Sequence, residues 1–89
     1  MKKWYLIDDC TTKRAGMFTE DLDTEDRDTA IEKALSEWTL LNAADHRARD
    51  AFYIAFGEWN EDLEDVDFDT ITESVDIISE WKKREEEEA

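Results

Sequence analysis

Three aspartates alternate at Asp65, Asp67 and Asp69, and Glu73, Asp76 and Glu80 follow them at helical spacing. Carboxylates set out in this way suit three kinds of chemistry. They can hold a hard cation, share a proton inside a cleft, or stand in for the phosphates of a nucleic acid by pairing with Lys and Arg. Calcium is tested first, because Asp65, Asp67 and Asp69 match the first, third and fifth positions of an EF-hand loop. The match ends there: Thr70 stands where the sharp turn needs Gly, and Asp76 where the bidentate Glu belongs. No metal is expected. Glycoside hydrolysis needs a carboxyl raised in pKa within a cleft, for which a chain of 89 residues has little room. The single Cys10 and single His46 lie in different segments with no third orienting group, and two isolated glycines cannot form a phosphate loop. The chain is expected not to be an enzyme and to use no cofactor.

Charge pairing is the chemistry that remains. From Asp50 to Trp81 there are eleven acids and no Lys, Arg or His, yet enough apolar residues to fold. If Asp65 to Asp69 is extended, its three carboxylates point to one side, successive ones about 6 to 7 Å apart. Glu73, Asp76 and Glu80 would sit on the outer face of a final helix and continue the row. Glu61, Asp62 and Glu64 make a second patch in a turn. These nine residues are the candidate partner-binding site, and Trp59 or Tyr53 could add an apolar anchor. Capping and solvation are the competing explanations for individual acids, Glu73 with Thr70 in particular.

The formal net charge of −15 exceeds the magnitude of about 2 to 8 that serves solubility in a small domain, so self-repulsion costs some stability. It disfavours nucleic acid and anionic membrane as direct partners and favours a basic protein surface. One cysteine cannot close an internal disulfide, MKKWYLIDD lacks an apolar signal region, and no apolar run reaches about 18 residues. A cytoplasmic protein of one domain over residues 1–89 is expected.

The elements that must carry these acids follow from periodicity. Lys3 to Asp8 reads as a strand apolar on both faces, and Met17 and Phe18 as a short second strand closing a hairpin. Glu20 to Asp28 is a solvated acidic loop or edge. Thr29 and Glu32 form a capping box before a helix whose buried face is Ala30, Ile31, Ala34, Leu35, Trp38 and Leu41. Asn42 to Asp50 reads as a helical turn or loop. Ala51 to Glu58 is a strand with Phe52, Ile54 and Phe56 on one face and a shallow, half-open face of Ala51, Tyr53, Ala55 and Gly57 on the other. A second capping box, Thr70 with Glu73, starts a helix that buries Ile71, Val75, Ile78 and Trp81, and Val66 and Phe68 join the buried row. Acids at 85–89 oppose the helix dipole, so this tail is expected to fray.

The expected fold is α+β, with two or three antiparallel strands packed against two helices in the order ββαβα and the first strand beside the Ala51 strand. Small size, acids concentrated in one half and this order of elements resemble small phage or mobile-element proteins that mimic nucleic acid, including anti-CRISPR and anti-restriction proteins. The stretch RDAFYIAFGEWNED is also similar to segments of short acidic bacterial proteins. The resemblance implies occupation of a Lys/Arg-rich nucleic-acid-binding surface, with inhibition of a defence nuclease as one outcome. A structural module that forms a homodimer through its sheet is the alternative.

Overall fold

The structure, a computed structural model, describes residues 1–12, 16–41 and 49–88. Strand β1 (Lys3–Cys10) forms where alternation places it, because Trp4, Tyr5, Leu6 and Ile7 are apolar toward both faces and all four are buried. β2 (Gly16–Asp21) returns antiparallel to it, from Gly16 opposite Cys10 to Asp21 opposite Tyr5. This hairpin is longer than Met17 and Phe18 alone. Beyond it the Trp4 carbonyl accepts from the Leu22 N–H at 3.1 Å, the Trp4 N–H donates to the Thr24 carbonyl, and the Trp4 indole donates to the Glu25 carbonyl. The acidic loop is thus tied to the sheet, with Leu22 buried as its plug.

Helix α1 (Arg27–Leu40) starts earlier than the Thr29–Glu32 box predicts. Asp26 is the N-cap, and its carboxylate accepts from both the Thr29 N–H at 2.9 Å and the Thr29 hydroxyl at 2.7 Å. An ionised Asp facing the positive end of the helix makes the stronger cap, so Thr29 serves as donor instead. Ala30, Ile31, Ala34, Leu35 and Trp38 are buried on the sheet as their spacing requires, with Leu41 at the margin. The turn expected over 42–48, including His46, lies outside the described residues.

β3 (Ala51–Asn60) lies antiparallel beside β1, with Phe56 opposite Trp4, Ile54 opposite Leu6 and Phe52 opposite Asp8. Its helix-side face joins the main core, where the Trp38 and Phe52 rings meet at 4.8 Å and those of Trp4 and Phe56 at 5.1 Å. The other face is not half open. Tyr5, Ile7, Ala55 and Val66 form a second buried cluster there, bordered by Tyr53 and Ile71, because the sheet curls over itself after β3.

That curl is where the structure departs most from expectation. β4 is only Asp65–Asp67, and a 3₁₀ turn (Phe68–Thr70) replaces further strand, capped by Asp67 accepting from the Asp69 N–H. The predicted helix start at Thr70 is instead strand β5 (Glu73–Asp76), and α2 (Ile77–Glu88) begins after it. Thr70 and Glu73 form no capping box. Asp76 takes that role, accepting from the Ile78 N–H and from the Ser79 N–H and hydroxyl. β5 pairs with residues 53–56 of β3 and β4 with residues 58–60. The sheet therefore has five strands rather than two or three, and the α+β class holds.

Gly57 makes the crossing of 70–71 over β3 workable. A Cβ there would stand 3.0 Å from Ile71 Cγ1 and 3.1 Å from Thr70 Oγ1. With that space free, the Thr70 hydroxyl accepts from the Glu58 N–H at 2.8 Å and donates to the Asp67 carbonyl at 2.6 Å.

Candidate functional site

The predicted acids sort by the element that carries each. Glu61, Asp62 and Glu64 sit at the exposed tip of the β3–β4 hairpin, where the Asn60 side-chain oxygen accepts from the Asp62 and Leu63 N–H groups. Glu64 closes that turn at φ +52°, a left-handed conformation uncommon for a residue with a side chain. Asp65 and Asp67 flank the buried Val66 on β4, and Asp69 is exposed on the 3₁₀ turn. These six form one contiguous arm of chain. None of them makes an ion pair with a described basic residue.

Glu73, Asp76 and Glu80 do not extend it as one helical row. Glu73 and Asp76 fall on opposite faces of β5, since three residues along a strand reverse the side. Glu73 faces Arg27 of α1, its carboxylate 3.9 Å from the guanidinium, and Asp76 is engaged in capping α2. Glu80 lies in the first turn of α2, where acid favours the helix dipole. The buried row also changes: Phe68 is 43% exposed, and the fully buried residue of α2 is Ile77, which the periodicity had missed.

A different regularity replaces the row. β5 and then β4 follow one another along the edge of β3 away from β1, opposite residues 53 to 60, a span of roughly 23 Å. Asp76, Glu73, Asp69, Asp67 and Asp65 are strung along that edge, and the hairpin tip continues it. Acids on a sheet edge also prevent edge-to-edge pairing with another chain, so part of this charge has a purely protective use.

Above the hairpin base lies a cavity of about 380 Å³ whose walls are Lys3, Tyr5, Asp21, Glu58, Trp59 and Met1. Trp59, 43% exposed, stacks on the buried Tyr5 ring at 5.9 Å and 28°. Burial, then the Asp21 carboxylate, push the Tyr5 hydroxyl above the ordinary tyrosine range, while Lys3 pulls it down, so the phenol stays neutral. The Lys3 ammonium sits 3.8 Å from Asp21 and 3.5 Å from Asp23. The sequence singled out Trp59 but not Lys3, Tyr5, Asp21 or Glu58, because their meeting depends on the β1–β2 and β1–β3 registers.

A larger groove of about 550 Å³ runs between α1 and α2, over Leu35 and Trp81, and an Arg84–Glu32 ion pair at 2.7 Å closes one side. It holds none of the predicted acids. At the far end of the sheet, Asp8 pairs with Arg49 at 2.9 Å and accepts from the Cys10 thiol at 3.4 Å. Burial, with the Asp8 bond next, pushes that thiol up, which favours its unreactive protonated form. Among the described residues no group of three or more His, Cys, Asp and Glu is arranged to hold a metal ion. Among the described residues no helix is long and apolar enough to cross a membrane. Comparison with protein-family models, with curated proteins and with solved structures found no match.

Proposed function

We propose that this protein binds a Lys/Arg-rich, nucleic-acid-binding surface of another protein, presenting carboxylates in place of phosphates. The observation that supports this best is the arm from Glu61 to Asp69, whose six acids have no described basic partner and run from the hairpin tip along a sheet edge held by a small core. An extended row of fixed carboxylates suits a groove that tracks a phosphate backbone. The field of a −15 chain speeds capture of a basic surface, and that gain shrinks as salt rises. Blocking such a groove on a defence nuclease is the outcome that the resemblance to phage and mobile-element mimics suggests.

The test is capture of host proteins at low and high salt, followed by competition of the captured protein with duplex DNA. Reversal of Glu61, Asp62 and Asp69 to Lys is the suitable variant, since none of these side chains caps a turn, whereas Asp67 and Asp76 do. It is expected to weaken capture by about tenfold or more, with the melting midpoint unchanged. Unchanged affinity would remove the arm from the interface.

A second reading, self-association through the sheet, is best served by β2, the longer and less acidic of the two edges. Both edges of β3 are occupied and its supposedly open face is covered, whereas β2 ends the sheet with Met17 and Phe18 exposed. A dimer that persists at high salt would favour it.

A further inference from the structure

We infer that the cavity bordered by Trp59 and Tyr5 is a seat for an arginine side chain of the basic partner, walled by the Asp21 and Glu58 carboxylates. The inference rests on the proposed binding of a basic surface and names the contact at which that surface is anchored. Three observations carry it. First, Trp59 is a large aromatic left 43% exposed on a long central strand, with one ring face backed by buried Tyr5. The indole is therefore held in place and partly open to solvent. Second, carboxylates stand on both sides, Asp21 from β2 and Glu58 from β3, around a space of about 380 Å³. Third, the chain already seats cations of its own at both walls, Lys3 lying 3.8 Å from Asp21 and the N-terminal ammonium 3.1 Å from Glu58.

A guanidinium fits these surroundings better than an ammonium. It is planar, so it stacks on an indole while its N–H edge donates to a carboxylate, and it loses less hydration on leaving water. Lys3 partly neutralises Asp21 and the N-terminal ammonium partly neutralises Glu58, both as exposed pairs of small worth, so the guest must displace or share one of these contacts. The acids of the hairpin arm would bring a basic partner near, and the aromatic seat would add contact that salt screens less. Such an anchor separates arginine from lysine, which a row of exposed carboxylates cannot do.

The test uses the full chain with N-acetyl-arginine N-methylamide as probe and the citrulline counterpart as its uncharged isostere. The indole N–H signals are followed by NMR, that of Trp59 being the one absent in Trp59→Phe. The Trp59 indole is expected to shift saturably with the arginine amide and not with the citrulline amide. Lys3→Gln is expected to tighten binding about two- to threefold by releasing Asp21. In a second arm, octa-arginine binds Trp59→Leu about two- to fivefold more weakly than wild type, the range of an exposed cation–aromatic contact. An indole that does not move, or that moves equally with citrulline, overturns the seat. So does equal binding of octa-arginine to wild type and Trp59→Leu, and that result leaves the acidic arm standing as a binding surface. A responsive indole in a protein that captures no nucleic-acid-binding protein at low salt would instead remove the proposed function and leave the seat.

Discussion

The two edges of the sheet are built on opposite terms. The β4–β5 edge is broken into short strands by a 3₁₀ turn, carries Asp65, Asp67, Asp69, Glu73 and Asp76, and is locked down by the Thr70 hydroxyl and by Ile71 over Gly57. The β2 edge is a continuous strand of six residues with Phe18 58% exposed and Met17 beside it. Short charged edges resist pairing with another chain, and longer apolar ones invite it. Acid stands on both edges, Glu20 and Asp21 on β2 and five carboxylates on the edge where the backbone is already interrupted. If edge protection were its whole purpose, β2 would need it more. The concentration of acid on the interrupted edge is what favours a binding role.

The largest effect that can break this contrast lies at Gly57. Gly57→Val drives a side chain into Ile71 and Thr70, which must then move off β3 and release the Glu58 and Asp67 contacts. Overpacking of this kind costs roughly 2 kcal/mol, a fall of about 10 °C in melting midpoint for a chain of this size. Thermal denaturation measures it, and partner capture should fall with it because the acids lose their alignment. A variant that melts with wild type would mean that the acidic edge is not locked by this crossing.

How far each edge could be foreseen differs for a physical reason. β1, α1 and β3 were legible because long apolar periods and local pairing agree there, although the α1 cap was misplaced, β2 was read too short and the second face of β3 was read as half open. The stretch from Asp65 to Trp81 satisfied two patterns at once. Thr70 with Glu73, and Ile71, Val75 and Ile78, fit a helix; Glu73, Val75 and Ile77 fit a strand equally well. The free edge of β3, which the sequence does not display, decided for strand, and Asp76 with Ser79 then capped the helix. The acids themselves were legible by count. Their partners were not, because Arg27 meets Glu73 across 46 positions of sequence.

A smaller effect sharpens the contrast from the apolar side. Phe18 lies at the rim of the helix-side core beside Glu20, Glu37 and Leu41, largely in water, so Phe18→Ser should change stability by no more than about 0.5 kcal/mol. Partner capture should be unchanged, since the residue is on the opposite edge from the arm. Light scattering should show the wild type as a monomer at low salt, where like charge on two copies repels. A dimer that persists in high salt and disappears in Phe18→Ser would reverse the roles of the two edges.

The smallest effect concerns pH, and it also separates the edges. Glu20 on β2 has its carboxyl raised above the ordinary glutamate value of 4.5, first by burial and then by the nearby Glu37. The folded state then binds its proton more readily than the unfolded chain does. The contribution of Glu20 to stability is thus greatest below pH 4.5 and is lost as pH rises through the raised value. Asp26 acts in the opposite sense. The Thr29 hydroxyl, then the Thr29 N–H, hold its carboxyl below 3.8, so its contribution is present above that pH and is lost as pH falls through the lowered value. Glu20→Gln should therefore raise the melting midpoint at neutral pH by a small margin and flatten its dependence just above pH 4.5, leaving the acid limb below 3.8 in place. Asp26→Ala should lower the midpoint at neutral pH and flatten the acid limb instead. A Glu20→Gln protein with the wild-type profile above pH 4.5 would show that the β2 edge carries no strained carboxylate. Its acids would then be as freely solvated as those at the tip of the hairpin.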